Sequence, residues 1–324
     1  MHAAAFSPRG GVAPKTTFLR GQSIIEYVLI IAVIGLVIVF AGPGVAGAIR
    51  NQFNLVGNTL NSGTNGGTEG SGSAGADSAT VQAAVAKDAK DWSLGEQETV
   101  AEDIAAKGEA SPAYAKAKAA MDAGTKFSVK LTNGQTLEYR IIGINHDDLA
   151  DGSGKAGLTF LTTSAGIKSR MNAENTSYRG WEGSELRQKM NSGEIWNLMP
   201  SDLQSKVKAV TKLTHNVNGT DKNAAVTATS DKLFLLSYSE IVPTSYWASS
   251  YPWTSSEGTQ YEAFKGKVTN NYSGNESLKI GSYWWERSVY PAHSNAFLHV
   301  YTNGDPSNGN HATSSGCVCP AFSF

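Results

Sequence analysis

The chain has 324 residues, with 27 Lys or Arg against 28 Asp or Glu, and 40% of its residues are hydrophobic. That length fits one or two domains, and a formal charge of -1 argues against a broad nucleic-acid-binding surface, leaving room only for a local patch. Two cysteines are too few for a disulfide-built scaffold.

Residues 1–21 contain Arg9, Lys15 and Arg20 and no acid. Without them the chain keeps 24 basic and 28 acidic residues, a formal charge of -4. Residues 24–42 read IIEYVLIIAVIGLVIVFAG. As a helix this stretch would rise about 28 Å, close to the ~30 Å hydrocarbon thickness of a bilayer. The basic flank predicts a cytoplasmic start and export of the chain beyond the apolar run. A secretory signal peptide would share the basic start and apolar run, and residues 41–47 offer a small-residue cleavage site. The run is long for a signal peptide, however, and Glu26 with Tyr27 stands at its start. An unpaired charge at the centre of a membrane helix costs about 2.5–3.5 kcal/mol, and a simple anchor has no need of one.

The stretch Gly21-Gln22-Ser23-Ile24-Ile25-Glu26-Tyr27 resembles the processing motif of Flp-type pilins, the short pilins of tight-adherence (Tad) systems. The resemblance covers roughly residues 20–60. It implies that a membrane-embedded prepilin peptidase cuts between Gly21 and Gln22. Residues 1–21 would then be a leader, and residues 22–60 a pilin-like transmembrane and assembly helix. Glu26 could pair with the α-amino group of a neighbouring subunit, removing two unpaired charges from an apolar bundle. The implied partners are the peptidase, the pilus assembly machinery and other pilin-like helices. The implied location is the inner or cytoplasmic membrane before assembly, then the cell surface or a pilus.

Gly42-Pro43-Gly44 is predicted to interrupt the helix. After it, Ile49, Phe53, Val56 and Leu60 approximate helical spacing. Major pilins of this kind end about here, whereas this chain continues to residue 324. A minor, tip or sparsely incorporated subunit accommodates such an attachment more easily. Residues 61–77, NSGTNGGTEGSGSAGAD, read as a flexible tether. Residues 78–123 are rich in Ala and Lys and predict two or three short helices, including 81–89 and 113–121. Trp92, Leu94, Val100 and Ile104 supply a buried face. A stalk and a layer packed on the distal domain both fit this spacer.

From residue 124 the pattern changes. Strands are predicted at 127–131, 137–144 and 158–163, with Asn133-Gly134 as a hairpin turn. Helices are predicted at 184–191 and 201–210, capped by Ser184 and Ser201. A strand at 232–236, a short helix at 257–264, strands at 283–287 and 297–301 and a closing strand at 317–322 complete an α+β domain.

This region carries YRGWEGSELRQKMN from Tyr178, DKLFLLSYSE from Asp231, SEGTQYEAF from Ser256, YWWERS from Tyr283 and GCVCPAFSF from Gly316. The ordered motifs resemble an uncharacterised family of bacterial surface-associated domains, associated with the C-type-lectin-like superfold, over roughly residues 126–324. Trp181, Ser184, Leu186 and Arg187 match its first motif. Phe234, Leu235, Leu236, Ser237 and Glu240 match the second, and Trp284, Trp285, Arg287 and Ser288 the third. Pro320, Ala321 and Phe322 match the last, but Cys319 stands where the family pattern has an arginine. Trp181, Phe234, Leu235, Trp284 and Phe322 are expected in the core. Arg187 and Arg287 are expected to pair with Glu185, Glu240 or Glu257, or else to meet an acidic ligand.

Residues 289–315 are crowded with Asn, Ser, Gly, His and Tyr. A loop of this composition can present contacts over a fixed frame. In lectin-like proteins diversified by retroelements, a comparable late segment forms the ligand surface. The candidate ligand-binding residues are Tyr290, His293, Asn295, His299, Tyr301, Asn303, Asp305, Asn308, Asn310 and His311. Ordinary polar loops between short strands are the alternative.

Cys317 and Cys319 share one face of a strand, and outside the cell a tight bridge between them competes with two free or intermolecular thiols. No four-ligand zinc set is apparent, and no metal site is assigned. Asp147, Asp148 and Asp151 could approach calcium, but the EF-hand register is incomplete. His146-Asp147-Asp148 lacks a nucleophile partner, and no catalytic constellation or cofactor is assigned. The leading expectation is a surface-displayed adhesin or ligand-binding protein that recognises an unknown extracellular protein or glycan and no nucleic acid. A structural or capping pilus component is the alternative, and an extracellular enzyme the weaker one.

Overall fold

A computed structural model describes residues 78–268 and 272–324. The expected leader, pilin-like helix and tether, with Gly21, Gln22, Glu26 and Tyr27, lie outside the described residues. Among the described residues, no helix is long and apolar enough to cross a membrane.

The described chain is a mixed α+β fold. Its first layer is helical: α1 (Ser78–Ala86), α2 (Leu94–Lys107) and α3 (Tyr114–Ala123). Ser93 starts α2 with a capping box, accepting from the Glu96 amide while the Glu96 carboxylate accepts from the Ser93 amide. This reciprocal pair satisfies two otherwise orphaned donors. Gly124 ends α3 in the left-handed region, φ 66°, where a residue without Cβ meets no steric penalty.

The sequence left open whether this layer stands apart or packs on the strands; it packs on them. Val100, Ala101 and Ile104 are buried on α2. A Cβ on Gly157 would lie 1.8 Å from the Ala101 carbonyl oxygen, so helix and strand backbones approach as only glycine permits. Gln97 is buried with them, donating to the Trp92 carbonyl and accepting from the Tyr139 hydroxyl.

Three sheets complete the fold. The first is antiparallel, in the order β1 (Lys126–Lys130), β2 (Thr136–Ile144), β3 (Leu158–Thr162) and the C-terminal β11 (Ala321–Ser323). The Asn133-Gly134 turn stands as expected, with Gly134 at φ 83°. The second sheet runs β4 (Lys168–Ser169), β10 (Gly316–Cys317), β7 (Trp284–Val289), β8 (Ala296–Val300) and β9 (Asn308–His311). The third is the hairpin of β5 (Val210–Thr214) and β6 (Thr227–Asp231). Short helices α4 (Glu185–Asn191), α5 (Glu194–Leu198), α6 (Ser201–Lys206) and α7 (Tyr238–Ile241) fill the connections. The last residues join two sheets, since β10 lies in the second and β11 in the first.

Apolar alternation directs Phe127, Tyr139, Phe160, Phe322 and Phe324 into one cluster, with ring centroids 5.1–6.0 Å apart in successive contacts. Trp181, Phe234, Leu235, Trp284 and Phe322 are all buried, as expected of core residues.

Four sequence-based boundaries are corrected. Ser201 does not cap its helix; Pro200 precedes it, and the helix stops at Lys206 because Val210 already begins a strand. Residues 232–236 are not a strand. Leu233, Phe234, Leu235 and Leu236 are buried, but the segment meets the ladder at one bridge, Phe234 with Ala321. Residues 257–264 are not a helix: 258–261 are irregular and only 262–264 form a turn; Gly258 takes φ 140° and a Cβ there would sit 2.7 Å from Glu240 Cγ. The closing strand is broken into β10 and β11 around Pro320, which cannot donate to a ladder.

Candidate functional site

The resemblance motifs converge on a buried polar framework. Trp181 Nε1 and Arg187 Nε donate to the two carboxylate oxygens of Asp231, at 3.0 and 2.6 Å. Ser184 caps α4, accepting from the Arg187 amide. Arg187 therefore pairs with Asp231 on β6, and the sequence-based choice among Glu185, Glu240 and Glu257 is corrected for this residue. A tryptophan and an arginine six positions apart both reach Asp231, which links α4 to the small hairpin.

Arg287 follows the other expectation. Its Nη1 and Nη2 pair with the Glu240 carboxylate at 2.5 and 3.0 Å. It also donates to Thr214 Oγ1 and to the carbonyls of Leu213, Leu235 and Glu257. Glu240 accepts as well from Lys212, which pairs with Asp147 at the same 2.6 Å. Burial opposes ionisation of Glu240, but the Arg287 and Lys212 charges outweigh it and hold the carboxyl below its ordinary range. Asp147 is held low in the same way, chiefly by Lys212 against its burial. All four side chains are nearly inaccessible, and such groups survive burial only when paired and hydrogen-bonded.

This framework is structural and offers no free reactive group at the surface. Of the three calcium candidates it takes in Asp147 alone. Asp147 is committed to Lys212, Asp148 pairs with Lys155, and Asp151 accepts from the Ser153 amide. The three carboxylates are spent on separate donors, and among the described residues no cluster of three or more His, Cys, Asp or Glu is suited to a metal ion. Cys317 and Cys319 are both free and buried, and burial pushes the Cys319 thiol above its usual value.

The late segment builds the surface, and strand register divides its residues. Phe297 and His299 on β8 stand opposite Asn310 and Asn308 on β9, so these four share one face. Leu298 stands opposite Gly309 on the other face. Tyr290 lies over Gly309: a Cβ there would come within 2.0 Å of the Tyr290 ring. His293 stacks on Tyr290 with centroids 4.3 Å apart and planes 2° from parallel. The turn that carries them is locked by Gly219, whose carbonyl accepts from the Ala292 amide at 2.7 Å.

The ten candidates therefore do not form one patch. His293, Tyr301, Asn303 and His311 are exposed, while Tyr290, Asn295, Asp305, Asn308 and Asn310 are half-buried. His299 is corrected as a surface residue. It is 5% exposed, ringed by Tyr283, Trp285 and Tyr301, and burial lowers its pKa to about 4. Several loop polar groups brace the chain. Asn303 Oδ1 accepts from the Asp305 amide, Asp305 Oδ1 from Ser307, and Asn310 Oδ1 from Ser314.

A family model described as "Domain of unknown function (DUF6273)" matches residues 156–324, more than half of the chain. The chain belongs to this family. Neither a curated protein nor a solved structure gives a significant match. The DUF6273 segment contains all five resemblance motifs, together with Lys212, Glu240 and Arg287. Asp147, which completes the buried framework, lies outside it.

The DUF6273 segment also holds surface aromatics that sequence reasoning did not select. Tyr246 and Tyr272 are 59% and 57% exposed, with centroids 6.1 Å apart. Tyr246 meets Trp247 at 5.5 Å, and Trp247 meets Tyr290 at 6.0 Å. Tyr272, Tyr246, Trp247, Tyr290 and His293 thus make a continuous aromatic track. Trp247 is rooted by Tyr238, 5.0 Å away beneath it. In sequence, residues 242–251 are aromatic and proline-punctuated, but their junction with Tyr290 depends on tertiary packing.

Proposed function

We propose that this protein is a surface-displayed ligand-binding protein, an adhesin carried on a pilin-like anchor. The aromatic track is the single observation that carries the reading. Large exposed rings are costly to leave in water, and rings on a rigid frame give contact area with little loss of conformational entropy. Sugars and peptides both offer faces that stack on such rings. The processing-like motif at Gly21-Gln22, with Glu26 and Tyr27, supports delivery by prepilin peptidase and engagement of the pilus assembly machinery. The ordered motifs of the DUF6273 segment support a C-type-lectin-like head.

The test is a glycan and extracellular-protein binding panel with the full chain in detergent, run beside a Tyr246→Ala/Tyr290→Ala variant. Binding is expected for the unaltered chain and a fall of at least tenfold for the variant, since each ring contributes on the order of 1 kcal/mol. An unaltered chain that binds nothing while still entering pili normally would favour the structural or capping role instead.

A further inference from the structure

A second site lies at the first sheet, apart from the residues of the aromatic track. It is a cleft of about 310 Å³ whose lining includes Gly124, Lys126, Arg140, Thr163, Ser277 and Lys279. Register sets its floor: Arg140 on β2 stands opposite Lys126 of β1 and Leu161 of β3.

The three cations are not equivalent. Lys126 pairs with Glu138 at 2.7 Å and Lys279 with Glu276 at 2.5 Å. Arg140 has no carboxylate partner among the described residues. Its Nη2 donates to the Ser277 carbonyl at 2.6 Å, and its guanidinium lies 5.7 Å from the Phe264 ring centroid. Its Nε is buried with no hydrogen-bond partner among the described residues, as are the Thr163 and Ser277 hydroxyl oxygens. Burial works against the charge on this guanidinium, and a buried cation is normally paired. Three unused polar atoms thus belong to residues of one cleft, one of them on a fork that matches oxyanion geometry.

We propose that this cleft binds a single oxyanion group, a carboxylate, sulfate or phosphate, through Arg140 Nε, with the Thr163 and Ser277 hydroxyls as further donors. Charge-assisted contacts of this kind are shorter and stronger than neutral ones. Gly124, which also lines the cleft, packs beside the guanidinium: an added Cβ would stand 3.6 Å from Nη1, in van der Waals contact. The proposal does not depend on the aromatic track.

The test titrates the full ¹⁵N-labelled chain in detergent with sodium sulfate, sodium phosphate or sodium glucuronate, each against chloride at matched ionic strength. The reporter is the Arg140 Nε–H resonance, assigned by its absence in Arg140→Met. The expected result is a saturable shift with at least one oxyanion, and preference among the three separates a sugar carboxylate from an inorganic anion. Arg140→Lys, which keeps the charge but loses the fork, is expected to weaken binding roughly tenfold. Thr163→Val with Ser277→Ala tests the hydroxyls without touching the arginine and is expected to weaken binding by about the same factor. Shifts no larger than those in chloride, or a double variant with unchanged affinity, would overturn the assignment.

Discussion

Arg287→Met is expected to unfold the protein or lower its stability by about 3–5 kcal/mol, the usual cost of removing one partner of a buried ion pair. The side chain makes six hydrogen bonds, to Thr214, Leu213, Leu235, Glu257 and both oxygens of Glu240. Methionine fills a similar volume but leaves the carbonyls without their donor and Glu240 with Lys212 as its remaining cation. Arg287→Lys keeps the charge but cannot reproduce the planar fork, so a large loss is expected there too. Urea unfolding followed by tryptophan fluorescence reads both. A loss below about 1 kcal/mol would mean that the framework holds nothing together.

Glu286→Met is expected to do the opposite and stabilise. Glu286 is fully buried between Trp285 and Arg287 in sequence, yet neither carboxylate oxygen has a hydrogen-bond partner among the described residues. Burial, reinforced by the nearby Glu257 charge, raises its pKa well above the ordinary value. Glu257 is raised to about 7 by burial, although the His215 amide and Ser288 hydroxyl hydrogen-bond to it. The sign follows from linkage. Both groups bind more protons folded than unfolded once pH exceeds the unfolded carboxyl value, so stability falls as pH rises from about 4.5. For Glu257 the fall ends near pH 7; for Glu286 it continues higher. Methionine removes both the unpaired oxygens and the titration, for a gain on the order of 1–3 kcal/mol at neutral pH. At about pH 4, below the unfolded carboxyl value, the gain should be smaller. Thermal melts across that range check it, and an equal gain at both pH values would contradict the assignment.

Much of this architecture was legible because it is local. The β1–β2 hairpin follows from Asn133-Gly134 between apolar runs, and the Ser184 cap from its place before a helical pattern. Trp181, Phe234, Leu235, Trp284 and Phe322 were read as core, and the structure buries them. Ladder partners brought from far along the chain were harder. The hairpin of β5 and β6 is built from VTKLT and TATSD, too polar and short to stand out, and its meaning comes from Lys212 and Asp231 meeting distant residues. The same reason explains the misplaced partner of Arg187, since Asp231 lies 44 positions away.

The late segment shows the limit more sharply. Composition marked residues 289–315 as polar loop, but composition has no register. The pairing of β8 with β9 holds His299 in the sheet, where the Tyr283, Trp285 and Tyr301 rings bury it, whereas Tyr301 lies past the end of β8 and is exposed. It also gives Gly309 its role as the floor for Tyr290, which brings that ring to Trp247. Tyr246, Trp247 and Tyr272 acquired their importance only by that junction. The Arg140 cleft was illegible for a related reason: its groups come from β2, from the segment after β3 and from residues near 277, and their shared property is a lack of partners, which no sequence displays.

The proposal that a pilin-like anchor carries the head outward is tested most directly at the mature N-terminus. Mass spectrometry of the protein recovered from membranes and sheared pili should find a chain beginning at Gln22. A chain that still begins at Met1, or one that begins within or just after residues 41–47, would contradict it, the second by replacing pilin processing with ordinary secretion.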